Sequence, residues 1–204
     1  MSALKVIRYG ALAVGAALAL AVGAALLVGR PVEPQVTAVG RPEIGGPFRL
    51  VAHTGAVVES GDLRGKPLVV FFGFTHCPDV CPTALATLSQ DLRDLGPDAD
   101  RLQAVFVTLT PERDTREALV QYMQAFDPRI LALTGTPEEV KAVAKAYKVY
   151  SEKVPTAAGD YTMNHTASVF LMDREHRFKG TIAQGESREA ATMKLRLLLG
   201  LKAA

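Results

Sequence analysis

Two apolar segments constrain the fold of this 204-residue chain more than any other feature. Residues 68–72 are hydrophobic without interruption, and residues 102–109 (LQAVFVTL) are nearly so. Strands that are buried on both faces of a sheet have this pattern, whereas half-exposed strands alternate apolar and polar residues. Leucines recur at helical spacing over residues 83–95, between the two runs. The sequence therefore predicts a sheet that is covered by helices on both faces.

Turn and capping signals divide the rest of this region. Residues 48–58 are typical of a small hairpin, and residues 167–182 of two antiparallel strands. Residues 151–164 show no period and are predicted to be irregular. Three further helices have predicted caps at Asp114 or Thr115, at Thr136 in a capping box with Pro137, and at Ser187, with Met193 and Leu197 facing inward on the last helix. This order predicts an α/β domain with a thioredoxin-like mixed sheet flanked by helices.

The first thirty residues have a different composition. Tyr9–Gly29 is uncharged and rich in Ala, Leu, Val and Gly, and as a helix it would span roughly 30 Å, the thickness of a bilayer core. Lys5 and Arg8 precede it, so the positive-inside rule places residues 1–8 in the cytoplasm. We predict an uncleaved transmembrane helix over residues 9–29; the alternative is a cleaved signal peptide, whose apolar region is usually shorter.

Residues 30–46 are rich in Pro and Gly and are predicted to be an extended linker to the domain at residues 47–204. Residues 1–30 hold three of the 23 basic residues and none of the 21 acidic ones, so the remainder carries a net charge of −1. A nearly neutral domain lacks the phosphate-facing cations that nucleic-acid binding requires. We therefore expect no nucleic-acid partner.

The two cysteines of the chain, Cys77 and Cys81, lie at the predicted turn between the first apolar strand and its helix. Pro82 is tolerated only near a helix start, which predicts Pro82 at the first helical position and Cys81 at the N-cap. The helix dipole would then lower the pKa of the Cys81 thiol and favour the thiolate. A disulfide between these residues would close a nearly minimal loop and add little stability, so redox or metal chemistry is favoured over a structural disulfide.

Among the four histidines, His165 is the best placed to join the cysteines. It precedes the predicted strand at residues 167–172, and in a thioredoxin-like core the loop entering that strand lies against the cysteine turn. His53 and His176 fall at predicted hairpin turns, where we expect solvated side chains. His76 is adjacent to the first cysteine, and neighbouring side chains rarely converge on one ion.

Three segments resemble, in the same order, motifs of the Sco/SenC copper-chaperone family. Residues 72–82 (FGFTHCPDVCP) resemble its FGYTHCPDVCP signature, residues 110–115 (TPERDT) its DPERDT segment, and residues 164–166 (NHT) its DHS motif. The resemblance covers residues 47–199. It implies a thioredoxin-like fold and a copper chaperone that assists assembly of the dinuclear copper centre in cytochrome c oxidase subunit II.

The resemblance also implies the copper ligands Cys77, Cys81 and His165. Thiolates are soft donors that suit Cu(I), and imidazole serves both Cu(I) and Cu(II). With the predicted anchor, this places a single-pass protein in a bacterial inner membrane with its domain facing the periplasm. Another periplasmic copper chaperone or a thiol reductant is then a further expected partner.

The same cysteine pair would also serve a thiol–disulfide reductase that keeps the copper-binding cysteines of the oxidase reduced. Copper delivery requires His165, whereas disulfide exchange does not. The sequence therefore leaves open whether the protein is only a metallochaperone or also a thiol–disulfide oxidoreductase. A peroxidase of the peroxiredoxin type shares the fold, but it needs a single peroxidatic cysteine in its own setting, which the paired turn fits poorly.

Thr110 and Asn164 stand where the family usually has Asp. A neutral amide beside His165 removes a negative charge that would disfavour thiolates, which predicts a disulfide that is easier to reduce than that of Asn164→Asp. If the side chain at position 164 points into solvent instead, screening leaves almost no effect.

Overall fold

The computed structural model describes residues 43–157 and 159–202, together with Gly15 and Leu20, which are helical. The chain divides into two compact units, Met1–Arg41 and Pro42–Ala204. Apart from those two positions, the predicted membrane span at residues 9–29 lies outside the described residues. No helix within the described part of the chain has the length and apolar character needed to cross a membrane.

The second unit alternates strands and helices. Its strands are β1 (Arg49–Ala52), β2 (Val57–Glu59), β3 (Leu68–Gly73), β4 (Gln103–Thr108), β5 (Ile130–Thr134), β6 (Ser151–Pro155), β7 (Tyr161–His165), β8 (Val169–Met172) and β9 (Phe178–Ile182). Its helices are α1 (Val80–Asp94), α2 (Arg116–Met123), α3 (Pro137–Ala146) and α4 (Arg188–Leu198). Short 3-10 helices occupy Ser60–Leu63 and Gly96–Arg101.

A seven-stranded mixed sheet has the order β2-β1-β5-β4-β3-β8-β9. Strands β3, β4 and β5 run parallel, while β1, β2, β8 and β9 pair antiparallel to their neighbours. Every residue of β3 is buried. Because side chains alternate along a strand, Phe71 lies in the core beneath α1 and Phe72 in the core beneath α3. The predicted thioredoxin-like sheet, covered on both faces, is confirmed.

The predicted helix caps are confirmed in most details. Thr136 forms a full capping box with Glu139, and the Ser187 side chain accepts a hydrogen bond from Ala190 N. Of the two candidates for α2, Thr115 is the cap, accepting from Ala118 N. Asp114 instead accepts hydrogen bonds from Thr75.

Outside the cysteine turn, two predictions about helix faces and strands are wrong. On α4, Ala191 and Leu195 face the core, whereas Met193 and Leu197 are exposed. The helix carries two apolar pairs of the same spacing, so periodicity alone did not distinguish the inner face. The predicted irregular segment at residues 151–164 instead contains two strands, Ser151–Pro155 and Tyr161–His165, which pair antiparallel in a two-stranded sheet of their own. Its weak hydrophobic pattern follows from the complete exposure of β6.

Candidate metal centre

The cysteine turn joins the end of β3 to the start of α1. The helix begins at Val80 with Asp79 as N-cap, so Cys81 lies inside the first turn and the prediction of Cys81 as N-cap is wrong. Pro82 is still compatible with this start, because the first-turn N–H groups have no partner within the helix. Both cysteines are free thiols; Cys81 is buried and Cys77 is partly exposed.

Cys81 Sγ lies against the backbone of β3. A Cβ atom added to Gly73 would stand 2.8 Å from this sulfur, so glycine permits the close approach. The backbone N–H of Cys81 donates to Cys77 Sγ over 3.3 Å, which fixes the two residues relative to each other. Sequence reasoning did not single out Gly73, although its place between Phe72 and Phe74 marks the end of the strand.

Burial, rather than the helix dipole, dominates the ionisation of Cys81. It raises the pKa of the thiol well above its usual range, and the Cys77 thiol and the Asp114 carboxylate add to the rise against an opposing backbone hydrogen bond at Phe74. The predicted lowering of the Cys81 pKa is therefore wrong for the metal-free protein. A metal ion would have to displace a thiol proton on binding.

His165 ends β7 and faces Cys81. Its Nε2 lies 3.6 Å from Cys81 Sγ, and its Nδ1 lies 2.9 Å from the carbonyl oxygen of Thr166. A carbonyl oxygen only accepts, so Nδ1 carries the proton and the Nε2 lone pair is available on the side of the sulfur. Burial lowers the pKa of His165 against the opposing Thr166 hydrogen bond, which favours the neutral imidazole that binds metals. The ring packs edge-on against Phe74, with centroids 5.8 Å apart.

The donor set fits a soft metal ion. Metal–sulfur and metal–nitrogen bonds of about 2.3 and 2.0 Å, as zinc sites show, can bridge the separation of Cys81 and His165. Cys77 Sγ is directed at the Cys81 N–H, and no three His, Cys, Asp or Glu side chains of the described residues already stand together at ligand positions. Completing a three-ligand site requires Cys77 to turn.

The buried Asp114 carboxylate anchors the cysteine loop. Its carboxylate is fully buried and accepts hydrogen bonds from Thr75 N at 3.0 Å, Thr75 Oγ1 at 2.6 Å and Thr108 Oγ1 at 2.6 Å. Thr75 lies two residues before Cys77, so the network ties the loop to β4. The sequence showed Asp114 only as a candidate cap.

The other histidines have contacts of their own. His76 Nδ1 lies 3.1 Å from Thr75 Oγ1, and His53 Nδ1 accepts from Ala132 N at 3.2 Å. His176 Nε2 lies 3.2 Å from the carbonyl oxygen of Leu63. The expectation of freely solvated rings at His53 and His176 is therefore wrong, because one nitrogen of each ring contacts the backbone of a neighbouring segment.

The two departures from the family pattern lie in different environments. Thr110 is fully buried, and its Oγ1 has no hydrogen-bond partner. Asn164 is exposed, on the opposite face of β7 from His165. Because solvent screens a charge at this exposed position, we expect Asn164→Asp to have almost no effect on how easily the Cys77–Cys81 disulfide is reduced.

These observations define a class: a thioredoxin-like domain in which the strand-to-helix turn carries two free thiols, one of which faces an imidazole from a separate hairpin. The SCO1/SenC family model matches residues 36–200, and the chain belongs to this family. It is 39% identical over 156 residues to the protein SCO1 homolog, mitochondrial, of Homo sapiens, covering 74% of this chain. The chain spans about half (51%) of that relative's length.

Solved structures of similar proteins confirm the fold. ScoI of Bradyrhizobium japonicum with copper bound is 46% identical and has a TM-score of 0.71, with 76% of this chain and 99% of that chain covered. ScoI of Arabidopsis thaliana with copper bound is 34% identical, with a TM-score of 0.72 and coverage of 77% and 98%. Both of those proteins hold copper in their structures.

Proposed function

We propose that this protein is a membrane-anchored periplasmic copper chaperone that assists assembly of the dinuclear copper centre of cytochrome c oxidase subunit II. Copper is its cargo, held by Cys77, Cys81 and His165. One observation carries the proposal: Cys81 Sγ and His165 Nε2, 84 residues apart in sequence, lie within 3.6 Å of each other. The copper-bound structures of similar proteins support the choice of metal.

The ligand chemistry suits a donor of copper. Two thiolates and one neutral imidazole favour Cu(I), and Cys77 is partly exposed, so a partner's ligand has a side from which to approach. Binding releases thiol protons, so copper affinity should rise with pH. Three ligands hold the ion firmly while leaving a position for exchange with the recipient.

Metal binding is tested on the reduced full-length chain under anaerobic conditions. We expect one Cu(I) per chain, and loss of tight binding in Cys77→Ser and in Cys81→Ser, because a single thiolate with imidazole makes a much weaker site. His53→Ala is the matched control, since this histidine contacts Ala132 N on strand β5 rather than the cysteine loop. Unchanged affinity in the double Cys→Ser variant would show that the ligand assignment is wrong.

The proposed anchor and location rest on the apolar run at residues 9–29 with Lys5 and Arg8 before it. A reporter that is active only in the periplasm, fused after Ala204, should be active. Activity of a reporter that functions only in the cytoplasm, fused at the same position, would contradict this topology.

A second candidate function is favoured by the proximity of the two free thiols. The Cys81 N–H donates to Cys77 Sγ, which keeps the pair close enough for thiol–disulfide exchange with the copper-binding cysteines of the oxidase. Because such exchange does not require His165, oxidase assembly in a His165→Ala strain separates the two functions. Loss of assembly supports copper delivery, whereas intact assembly supports the reductase.

A further inference from the structure

Residues 110–114, which we term the bridging segment, contact both parts of the candidate metal centre. At one end of the segment, Asp114 accepts the two Thr75 hydrogen bonds that hold the cysteine loop. Just before it, Glu112 and Arg113 contact the β6–β7 hairpin that carries His165. The segment supplies no proposed metal ligand, but it contacts both the cysteine loop and the β6–β7 hairpin, which carry the proposed ligands.

Arg113 makes three contacts with β7 and the residue before it. Its Nη1 donates to the carbonyl oxygen of Tyr161 at 2.9 Å, its guanidinium lies 3.2 Å from the Tyr161 ring centroid, and it forms an ion pair with Asp160. The Arg113 side chain is only 18% exposed. Stacking on an aromatic ring combined with hydrogen bonds in a fork is a geometry that arginine holds well and lysine does not.

Glu112 completes the contact from the other side of the same tyrosine. Its Oε1 accepts a hydrogen bond from Tyr161 Oη at 2.6 Å and forms an ion pair with Lys153 on β6. Burial works against ionisation, but the hydrogen bonds from Lys153 and Tyr161 outweigh it and lower the pKa of Glu112 to about 2. Glu112 therefore binds both strands of the hairpin as a carboxylate.

The hairpin depends on these contacts because it has no strand neighbour in the main sheet. Strands β6 and β7 pair with each other in a separate sheet, and all five residues of β6 are exposed. At the base of the hairpin, Thr166 N donates to the Tyr150 carbonyl oxygen, and Tyr150 N donates to Thr166 Oγ1. Those bonds fix the base and Met163 packs against the core, whereas Glu112 and Arg113 hold the more distant part of the hairpin through Lys153 and Tyr161.

We propose that Glu112 and Arg113 are positioning residues of the metal centre, which hold the β6–β7 hairpin through Tyr161 and Lys153 and thereby keep His165 within reach of Cys81. This inference rests on the proposed copper site. It predicts a selective effect, because two thiolates alone can retain Cu(I), whereas Cu(II) favours nitrogen and oxygen ligands. Release of the hairpin should weaken Cu(II) binding far more than Cu(I) binding.

The test compares Glu112→Ala and Arg113→Ala with the wild-type full-length chain. We expect Cu(II) affinity to fall at least tenfold and Cu(I) affinity to change less than threefold, with weaker nitrogen hyperfine coupling in the Cu(II) electron paramagnetic resonance spectrum. In the metal-free protein, amide exchange in β6 and β7 should accelerate at least tenfold, while β3 and β4 are unaffected. Arg113→Lys should not restore the wild-type spectrum, since it loses the fork and the stacking.

The matched control is Arg116→Ala with Glu117→Ala, a neighbouring exposed ion pair at 3.1 Å whose two members bond each other rather than the hairpin. His165→Ala is the reference for complete loss of the imidazole. If His165→Ala leaves the Cu(II) spectrum unchanged, the proposed ligand set is wrong. If His165→Ala changes it but Glu112→Ala and Arg113→Ala do not, the positioning proposal alone is overturned. Should Arg113→Ala fail to fold, Glu112→Gln, which keeps the size of the side chain, decides by the same two measurements.

Discussion

At the residue scale, Gly73 occupies the tightest position beneath the metal centre. A Cβ there would lie 2.8 Å from Cys81 Sγ and 2.9 Å from Phe106 Cε2, and both neighbours are buried. We expect Gly73→Ala to destabilise the domain by about 1–3 kcal/mol, the usual cost of overpacking a core, and to weaken Cu(I) binding by displacing Cys81. Urea unfolding and copper titration measure both effects.

Gly61→Ala is the matched control, because a Cβ at Gly61 would meet nothing within 4 Å. This variant should keep wild-type copper affinity and near wild-type stability. A Gly73→Ala protein as stable as Gly61→Ala would mean that β3 and α1 can separate without cost.

Thr110 presents a different case, a buried hydroxyl without a partner. Thr110→Val keeps the shape and removes the unpaired Oγ1, so we expect it to stabilise the domain by about 1 kcal/mol in urea unfolding. Thr108→Val is the contrast: that hydroxyl donates to Asp114 and accepts from Thr110 N, so its loss should destabilise by about 1–3 kcal/mol. Destabilisation by Thr110→Val would indicate a bound water on Oγ1.

At the element scale, the sequence predicted the buried strands β3 and β4 and the caps of α2, α3 and α4, because these depend on local patterns. It did not predict the start of α1 at Val80 or the inward face of α4. Both are decided by tertiary packing: α4 has two equivalent apolar pairs, and only its seating on the sheet selects Ala191 and Leu195. The β6–β7 hairpin was missed because its strands are largely polar and at most half-buried, so strand pairing and the bridging segment stabilise it in addition to the packing of Met163 against the core.

The contact between α1 and α4 contains a buried acid. Asp91 is 2% exposed, and its Oδ1 lies 3.3 Å from Thr192 Oγ1. Burial raises the pKa of Asp91 to about 6, against opposing effects of Thr192 and Arg188. The folded protein therefore holds a proton that the unfolded chain releases near pH 4, so this group makes stability fall as pH rises from about 4 to about 6.

Asp91→Asn should remove this dependence. At pH 7 we expect the variant to be more stable by about 3 kcal/mol, from about 1.4 kcal/mol for each unit of pKa shift, with little gain at pH 4. The measurement is urea unfolding at several pH values. Asp94→Asn should have the opposite effect on stability, because the hydrogen bond from Arg188 lowers the pKa of Asp94. The Asp94 carboxylate therefore stabilises the fold at neutral pH, and the variant should be less stable there. Equal pH profiles for Asp91→Asn and the wild type would show that Asp91 is hydrated.

At the scale of the whole molecule, the candidate centre draws on parts of the chain that local patterns do not connect. The sequence and its family resemblance pointed to Cys77, Cys81 and His165, and the structure places the last two side by side. The supporting shell was not predicted, because Asp114 and Arg113 act through contacts with residues 39 and 48 positions away. Spacing in sequence carries no signal for such partners.

The division of the proposed ligands between two distant parts of the chain bears on stability. Cys77 and Cys81 are near each other in the unfolded chain as well, so both states can bind Cu(I) through the thiolates, and that shared affinity does not stabilise the fold. Only the folded chain adds His165. The increase in the free energy of unfolding on copper binding should therefore measure the contribution of the His165 imidazole to Cu(I) affinity, rather than the total Cu(I) affinity.

We expect equimolar Cu(I) to raise the melting temperature of the reduced protein by a few degrees. A tenfold preference for the folded state corresponds to about 1.4 kcal/mol, which shifts the melting temperature of a domain of this size by roughly 3–5 °C. His165→Ala should still bind Cu(I) but lose most of the shift, and the double Cys77→Ser, Cys81→Ser variant should show neither binding nor shift. Anaerobic calorimetry with and without Cu(I) measures all three proteins. A shift in His165→Ala equal to that of the wild type would mean that the thiolates alone prefer the folded state, because the buried position of Cys81 favours the complex without any imidazole ligand.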